Sequence, residues 1–415
     1  MEQATAASTA KKAPKTGWAI LAVVFLAGIC APANMDKVTT LAPILMEVFN
    51  IDTGLIGWVI ALFYVLGFCM AFPTAGIANK FGIKTTIIFS LIVGIIGNLL
   101  GVFSTSLPVF MVSRVLEGVG MGVMGVVGVA AISPWFAPSR QGLPLGIWGM
   151  WVSVPMFVGP IIYTAIFEAT GAWQPVWWFT IGLSVLALIA FVIVYRDPDF
   201  VYDEDENIVS LDGDEVPELE KPSIKKALAL PVVWILAIII ILDNIGFMAV
   251  QGFLTTYIYD FLGAPLGIAA ALVALAAIVG AVMSPISGAI SDRIRSRRIM
   301  LLVAYVCAVA YTWLVFSTTD LVLFTVVIVL MGIACGTAGA MQWAACGEAV
   351  PPAALAGAMA VLAFMQNLGM FLGSGFFGML VEGMGGDWGM AAHVIIVPLY
   401  VITLIVLLVG WKKLP

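Results

Sequence analysis

Long apolar runs separated by short polar stretches recur along the whole chain. Most hold about 20 residues or more, the length that an α-helix needs to cross the hydrocarbon layer of a bilayer. The runs are apolar throughout, without the alternation of apolar and polar residues that marks a transmembrane β-strand. The pattern predicts twelve membrane-spanning helices, over residues 17–49, 53–75, 83–104, 107–133, 142–168, 174–195, 229–261, 265–287, 298–318, 321–347, 353–381 and 388–411.

The composition agrees with a chain that lies mostly in lipid. Hydrophobic residues make up 62% of the 415 and charged residues only 10%, whereas soluble domains carry about 25% charged residues. The sequence has no serine elbow, phosphate-binding loop, histidine-rich cluster or Cys-x-x-Cys pair. We therefore expect an all-α polytopic membrane protein rather than an enzyme, with no catalytic residues, no cofactor, no metal site and no nucleic-acid partner.

Positive charge is distributed unevenly between the connections. Of the 18 lysines and arginines, all except Lys37 and Arg114 fall in the two tails, the central linker or the loops on the same side of the membrane. By the positive-inside rule this side is cytoplasmic, so we expect both termini inside, in a bacterial inner membrane. An acidic stretch at 197–221 divides the spans six plus six. The predicted organisation is a cytoplasmic tail 1–16, an N-terminal bundle 17–195, a linker 196–228, a C-terminal bundle 229–411 and a tail 412–415.

The two sets of six spans share short sequence landmarks. MFVGP at 156–160 aligns with MFLGS at 370–374, an offset of 214 residues, and the same offset places Gly122 on Gly336. Two parallel repeats joined by a cytoplasmic linker are typical of transporters that rock around a site at the middle of the bilayer. The repeat therefore predicts two pseudo-symmetric halves with a small-molecule site between them.

Related motifs occur in the loops after the second and eighth spans, AGIANKFGIK at 75–84 and GAISDRIRSRR at 288–298. Arg114 begins RVLEGVGMG in the fourth span, and a Gly-Pro pair follows in the fifth. By these motifs, their order and the twelve spans, residues 17–411 resemble the major facilitator superfamily. The resemblance implies a transporter, usually monomeric, with a cytoplasmic gate at these loops. We assign to this gate Asn79, which stands where the family usually has Asp, and Lys80, Asp292 and Arg293.

Charged residues also lie inside the first and fourth spans, where they are costly and usually functional. Counted at 1.5 Å per residue, Lys37 and Glu117 lie at a similar depth, each about 15 Å from the outer end of its span. Arg114 is one turn from Glu117 and Asn34 is one turn from Lys37, while Asp36 points about 100° away from Lys37. Because the first and fourth helices line the central cavity in the family, the resemblance implies that these residues form one polar cluster.

The seventh and eleventh spans carry the polar residues of the second half. Asp243 and Asn244 lie in the seventh span, with Gln251 two turns after Asn244, and Gln366 and Asn367 lie at the centre of the eleventh. We predict three carboxyl groups as carriers of a coupled proton, those of Asp36, Glu117 and Asp243. The predicted substrate-binding residues are Asn34, Lys37, Arg114, Asn244, Gln251, Gln366 and Asn367.

These residues suggest that a small organic anion and a proton bind together. Protonation of Glu117 or Asp36 would leave Arg114 or Lys37 ready to bind a carboxylate, and the halves would then rock and release both inside. The main alternative is a proton-coupled exporter of drugs or lipophilic compounds, although Lys37 would repel a cation in a dry cavity. A third interpretation is a non-transporting sensor. Arg114 with Glu117 as a purely structural pair, and the amides as links between helices, also stay open.

Overall fold

The computed structural model describes residues 15–202, 208–210 and 223–415, and in these ranges the chain is mostly helical. Within them, twelve helices are long and apolar enough to cross a membrane, which confirms the predicted number. In chain order, the first to the twelfth span are Thr16–Thr40, Thr53–Met70, Ile83–Val102, Leu107–Trp135, Gly142–Thr170, Gln174–Val194, Pro231–Phe261, Leu266–Ile294, Arg297–Val315, Leu321–Ala349, Pro352–Gly383 and Trp388–Val409.

The predicted linker is only partly among the described residues. Phe200–Tyr202 and Ile208–Ser210 pair as two short antiparallel strands, and Ile224–Leu228 forms a short helix that packs against the eleventh span. Most of the predicted tail 1–16 lies outside the described residues. The domain boundaries placed at the tail and linker therefore stay a prediction.

Proline residues account for two differences from the predicted spans. The apolar run 17–49 is two helices, because a separate helix, Ala42–Phe49, begins beside Pro43. The run 53–75 is divided in the same way at Pro73. Proline lacks the backbone N–H that a continuing helix needs, and it is tolerated in the first turn of a new one.

The eighth span is longer than its apolar pattern suggested. It continues to Ile294, beyond the predicted end at 287, so Asp292 and Arg293 of the second loop motif belong to its last turns. A basic residue in the last turn interacts favourably with the carbonyl end of a helix. Arg295, the residue after the end of the helix, has a left-handed backbone with φ of 53°.

Five of the described spans, the second, fourth, fifth, seventh and twelfth, are built from more than one helix, and the breaks of the second and fourth meet. The second span divides at Leu62 and the fourth at Gly118, directly after Glu117. The breaks touch, because a Cβ atom on Gly118 would collide with the carbonyl oxygen of Phe63. The component helices of the interrupted spans and the short helices outside them are Thr53–Ala61, Phe63–Met70, Pro73–Phe81, Leu107–Glu117, Val119–Ile132, Ser133–Trp135, Pro138–Arg140, Gly142–Gly149, Ser153–Thr170, Pro231–Gln251, Leu254–Thr256, Tyr257–Phe261, Trp388–Ala391, Ala392–Ile396, Val397–Val409 and Trp411–Lys413.

Helix packing repeats between the two halves. The first span packs against the fifth and sixth, and the seventh packs against the eleventh and twelfth in the equivalent way. The third span packs against the fourth, as the ninth does against the tenth. Between the halves, the second span meets the eleventh and the fifth meets the eighth. The second and eighth spans are equivalent in the two repeats, as are the fifth and eleventh, so the two contacts are related by the repeat. The predicted pseudo-symmetric arrangement is therefore confirmed.

The two halves are closed on one side of the molecule. We call the side where the first span begins and the twelfth ends the terminal face. At the opposite face, the backbone N–H of Gly54 donates to Glu382 Oε2 at 3.2 Å, and Trp58 Nε1 lies 3.1 Å from Met379 Sδ. A cavity of about 330 Å³ lies between the halves and reaches the terminal side of the fifth and eighth spans, where Gly149 is exposed.

Close packing of the eighth and tenth spans depends on Gly336. A Cβ atom there would lie 2.7 Å from the Cα of Gly280, so Gly336→Ala should destabilise the fold by about 1–3 kcal/mol, as overpacked sites do. Gly339→Ala is the matched control one turn away, since nothing lies within 4 Å of its added Cβ. Thermal unfolding of the detergent-purified variants measures both. Equal unfolding temperatures for Gly336→Ala and Gly339→Ala would contradict the close packing of the eighth and tenth spans at Gly336.

Candidate functional site

A fully buried cluster of charges lies inside the first half. Lys37 Nζ on the first span is 3.0 Å from Glu117 Oε1 on the fourth, and Arg114 NH1 pairs with Glu117 Oε2. The side chains of Lys37 and Glu117 have no exposed surface. The predicted common depth of Lys37 and Glu117 is therefore confirmed, and one carboxylate bridges two cations from two helices.

Neighbouring polar groups complete the coordination of Lys37. Its ammonium donates to Asn34 Oδ1 at 3.2 Å and to Asn98 Oδ1, and it lies 4.3 Å from the centre of the Trp177 ring. An ammonium has three protons to donate, and the two amides and Glu117 accept them. Thr180 Oγ1 also donates to Asn98 Oδ1, at 2.9 Å. Spans one, three, four and six therefore all contribute to this cluster.

Arg114 is held by backbone and aromatic groups as well as by Glu117. NH1 donates to the carbonyl oxygen of Asn34 at 2.9 Å, and the guanidinium carbon is 4.9 Å from the centre of the Phe63 ring. Beside Asn34 and Glu117 lies a cavity of about 10 Å³, close to the size that one water molecule needs. The cluster is thus almost completely packed.

Asp36 lies apart from these cations. It is buried, and Asp36 Oδ2 has no hydrogen-bond partner among the described residues. Nearby, Tyr64 OH is 2.8 Å from Met35 Sδ and 3.2 Å from Met248 Sδ in the other half. The predicted direction of Asp36, away from Lys37, agrees with the absence of an ion pair between Asp36 and any Lys or Arg in the described ranges. Met35, the residue before Asp36, is therefore linked through Tyr64 to the other half.

A second polar network surrounds Asp243 in the C-terminal half. Asp243 Oδ2 accepts a hydrogen bond from Gln342 Nε2 at 2.7 Å, and the same nitrogen lies 2.7 Å from Tyr305 OH. Tyr400 OH lies 3.4 Å from the carbonyl oxygen of Asp243 and 2.9 Å from Tyr311 OH. Three spans besides the seventh contribute to this network, the ninth, tenth and twelfth.

The structure divides the predicted substrate-binding residues into three groups. Gln251 and Gln366 lie on the wall of the cavity between the halves. Asn244 and Asn367 donate to carbonyl oxygens of their own helices, at 2.8 and 2.9 Å. Lys37, like Asn34 and Arg114, lies in the buried cluster and is absent from the cavity wall. That wall is formed by Gly149, Val152, Ser153, Met156, Phe247, Gln251, Ala276, Ala277, Gly280, Ala281, Ser284, Met331, Gly332, Cys335, Gly336, Gly339, Ala340, Trp343 and Gln366.

The predicted gate residues lie at the terminal face. Asp292 Oδ1 is 2.5 Å from Arg297 NH2, which is 2.6 Å from Glu348 Oε1. This triad joins the ends of the eighth, ninth and tenth spans within one half. Arg293 is exposed at the end of the eighth span. Asn79 and Lys80 lie at the end of Pro73–Phe81, and the gate function of all four stays a prediction.

Sequence reasoning missed several members of the two networks. Asn98 and Gln342 had a usable signal, because each is an uncharged amide within an apolar run. Trp177, Tyr305 and the other aromatic partners had none, since most aromatic residues in such spans are packing residues or interfacial anchors. Their role emerges only when the helices are placed side by side.

Comparison with known proteins agrees with this architecture. The model of the Major Facilitator Superfamily matches residues 24–374 and 281–414. The chain belongs to the major facilitator superfamily. It is therefore an integral membrane protein of a transporter family.

Individual relatives are distant. The chain is 28% identical over 185 residues to the uncharacterized MFS-type transporter YfiU of Bacillus subtilis, covering 44% of this chain and 34% of that protein. It is 28% identical over 291 residues to the probable nitrate/nitrite transporter NarK2 of Mycobacterium tuberculosis, covering 65% and 64%. The alignments thus span about a third to two thirds of these relatives.

Among solved structures, the chain is similar to a bacterial homolog of the human lysosomal transporter Spinster in an inward-facing, unoccupied conformation. The TM-score is 0.74 at 18% identity, and the match covers 97% of each chain. At this identity the similarity concerns the fold alone.

Glu117 should be essential for the stability of the first half. Glu117→Gln removes the carboxylate that two buried cations share, and breaking a buried pair costs about 3–5 kcal/mol. The matched control is Asp292→Asn, which removes a carboxylate that is 65% exposed from a surface pair, worth about 0–1 kcal/mol. Thermal unfolding in detergent should show a much larger loss for Glu117→Gln. Similar losses would contradict the bridging role.

Proposed function

We propose that this protein is a secondary transporter that exchanges a small lipophilic compound for protons. One observation carries the proposal: within the described residues, the wall of the cavity between the halves contains no Asp, Glu, Lys or Arg. The cations that would have formed an anion site face Glu117 instead. This favours the exporter hypothesis over the organic-anion symporter.

The cavity has the size and surface for such a compound. Its volume of about 330 Å³ lies in the usual range for small-molecule pockets, about 300–1,000 Å³. Phe247 and Trp343 supply aromatic surface, and Gln251 and Gln366 supply hydrogen-bonding groups. A mainly apolar wall with few polar groups is typical of small-molecule sites.

The buried location of Lys37 removes the main objection to the exporter hypothesis. In the sequence, Lys37 appeared able to repel cationic compounds from the cavity. In the structure its ammonium is 3.0 Å from Glu117 and has no exposed surface. Pairing with Glu117 and burial away from the cavity wall weaken the repulsion that Lys37 exerts on a cation in the cavity, although Lys37 and Arg114 share one carboxylate.

Proton coupling is proposed to act through the buried carboxyl groups. Protonation of Glu117 would deprive Lys37 and Arg114 of their shared partner, and ionisation of Asp36 would leave a buried charge without a partner. Either event changes the free energy of the packing of the first half. A change in the protonation of either carboxyl group can therefore shift the equilibrium between two arrangements of the halves around a central site. We take the terminal face as cytoplasmic, which makes this conformation inward-facing.

The organic-anion symporter is the second candidate. Two observations support it. The buried cluster holds two cations, Lys37 and Arg114, and only one carboxylate, Glu117, and one relative is named a probable nitrate/nitrite transporter. It requires protonation of Glu117 and a path from the cavity to Lys37 and Arg114. A non-transporting sensor would bind the same ligands without moving them.

The test uses proteoliposomes and two permanently charged aromatic probes that cross lipid poorly. With an acidic interior, vesicles containing the protein should accumulate labelled benzyltrimethylammonium several-fold above protein-free vesicles. A protonophore should abolish the accumulation, because the proton gradient drives it. Benzenesulfonate should not accumulate under a gradient of either direction.

Opposite results identify the other candidates. Movement of benzenesulfonate alone, lost in Lys37→Met and kept in Lys37→Arg, would overturn the proposal and support the anion symporter. Binding of a probe to the detergent-purified protein without movement of either probe would support the sensor. The two Lys37 variants must first show folded elution and cooperative unfolding, since Lys37 is also part of the packed cluster.

A further inference from the structure

Asp243 lies one helical turn from the wall of the cavity between the halves. Phe247 and Gln251 follow it at intervals of four residues, and both belong to the cavity wall. Residues four apart share a helix face, so Asp243 extends this face by one turn towards the terminal face, the side on which the cavity reaches exposed residues. Asp243 itself is half-buried.

The carboxylate of Asp243 is oriented but not neutralised. Its Oδ2 accepts from Gln342 Nε2 at 2.7 Å, and Gln342 is itself buried on the tenth span. Within the described residues, no Lys or Arg lies within ion-pair distance of Asp243; the four ion pairs there involve other carboxylates. A hydrogen-bonded carboxylate without a cation is ready to receive one.

The other two carboxyl groups at mid-membrane differ in accessibility. Asp36 and Glu117 are buried, with 2% and 1% of their surface exposed. Glu117 is also occupied by two cations. Of these three carboxyl groups, Asp243 is thus the least buried and the one that shares a helix face with residues of the cavity wall.

Aromatic side chains on the cavity wall also favour a cation. Phe247 is one turn away and Trp343 is next to Gln342, and both lie on the cavity wall. The faces of aromatic rings attract ammonium groups within about 6 Å, more strongly when water is excluded. No described residue of the wall carries a positive charge. Charge and surface therefore both favour a cation over an anion in the cavity.

We propose that Asp243, with Phe247 and Trp343, forms a subsite for the ammonium group of an amphipathic amine. The inference rests on the proposed function and specifies its substrate class. The apolar part of the amine lies in the cavity, towards Gln251 and Gln366. Gln342 is a positioning residue, because it holds the carboxylate through Oδ2.

The subsite also explains how protons and substrate exchange. When Asp243 is protonated, the arriving ammonium ion displaces the proton, which passes to water at the terminal face; the ammonium keeps all of its own protons. No covalent bond to carbon forms or breaks, and one positive charge replaces another. Proton and amine therefore compete for one carboxylate.

The experiment measures the apparent affinity of the purified protein for benzyltrimethylammonium between about pH 5.5 and 8. Affinity is obtained from thermal stabilisation and from competition between unlabelled and labelled benzyltrimethylammonium. In the wild type, affinity should fall as the pH is lowered, because protons compete. Asp243→Asn keeps an oxygen that accepts from Gln342 but removes the charge, and it should bind about tenfold or more weakly, as expected on loss of a desolvated charge partner. Its remaining affinity should not depend on pH, and Asp243→Glu should restore both properties.

Asp260→Asn is the matched control. It removes the same charge from the same span at an exposed position 17 residues away, about 25 Å along the helix, and should leave affinity and its pH dependence unchanged.

Wild-type affinity and proton-driven uptake in Asp243→Asn would overturn the subsite and leave the proposed function standing. Binding that depends on Asp243 without uptake in the wild type would overturn transport and keep the subsite. No binding of the probe to the wild type would overturn the subsite.

Discussion

The structure of the first half depends on the burial of Glu117 between Lys37 and Arg114. Three charges are removed from water here, a large desolvation cost that only close pairing and further hydrogen bonds can offset. Asn34 and Asn98 provide hydrogen bonds, and the rings of Trp177 and Phe63 cover the cations. Because these groups come from five spans, the electrostatic requirement ties the whole half together.

This burial also determines which half presents chemistry to the cavity. The offset of 214 residues places Glu117 on Met331 and Arg114 on Ile328, so the second half has no equivalent of the cluster. Met331 instead lies on the cavity wall. The pseudo-symmetric fold therefore combines two different halves: the paired charges are packed in one, and the uncharged cavity wall lies mostly in the other.

Much of the fold was predictable because its signals are local. The run lengths predicted twelve spans, and depth along the helices predicted that Lys37 and Glu117 lie in one layer, while the family resemblance implied that they form one cluster. The run 17–49 was wrongly read as one helix because residues 41–43 are all apolar and leave the run unbroken, although Pro43 lies in the first turn of a new helix. The placement of Lys37 and Arg114 in a substrate site has less support, because depth along a helix does not show whether a side chain faces a cavity or a neighbouring helix.

The sequence by itself determined that the chain spans the membrane, how often it does so, that its halves are repeats, and which charges lie within the bilayer. These properties follow from composition and from distance along a helix, which neighbours do not alter. Tertiary structure alone decided that Asn98 and Trp177 enclose Lys37 and that Gln251 and Gln366, rather than Lys37, line the cavity. The reason is physical: burial and pairing are properties of contacts between helices distant in sequence, and a periodic apolar pattern leaves the choice of partner open.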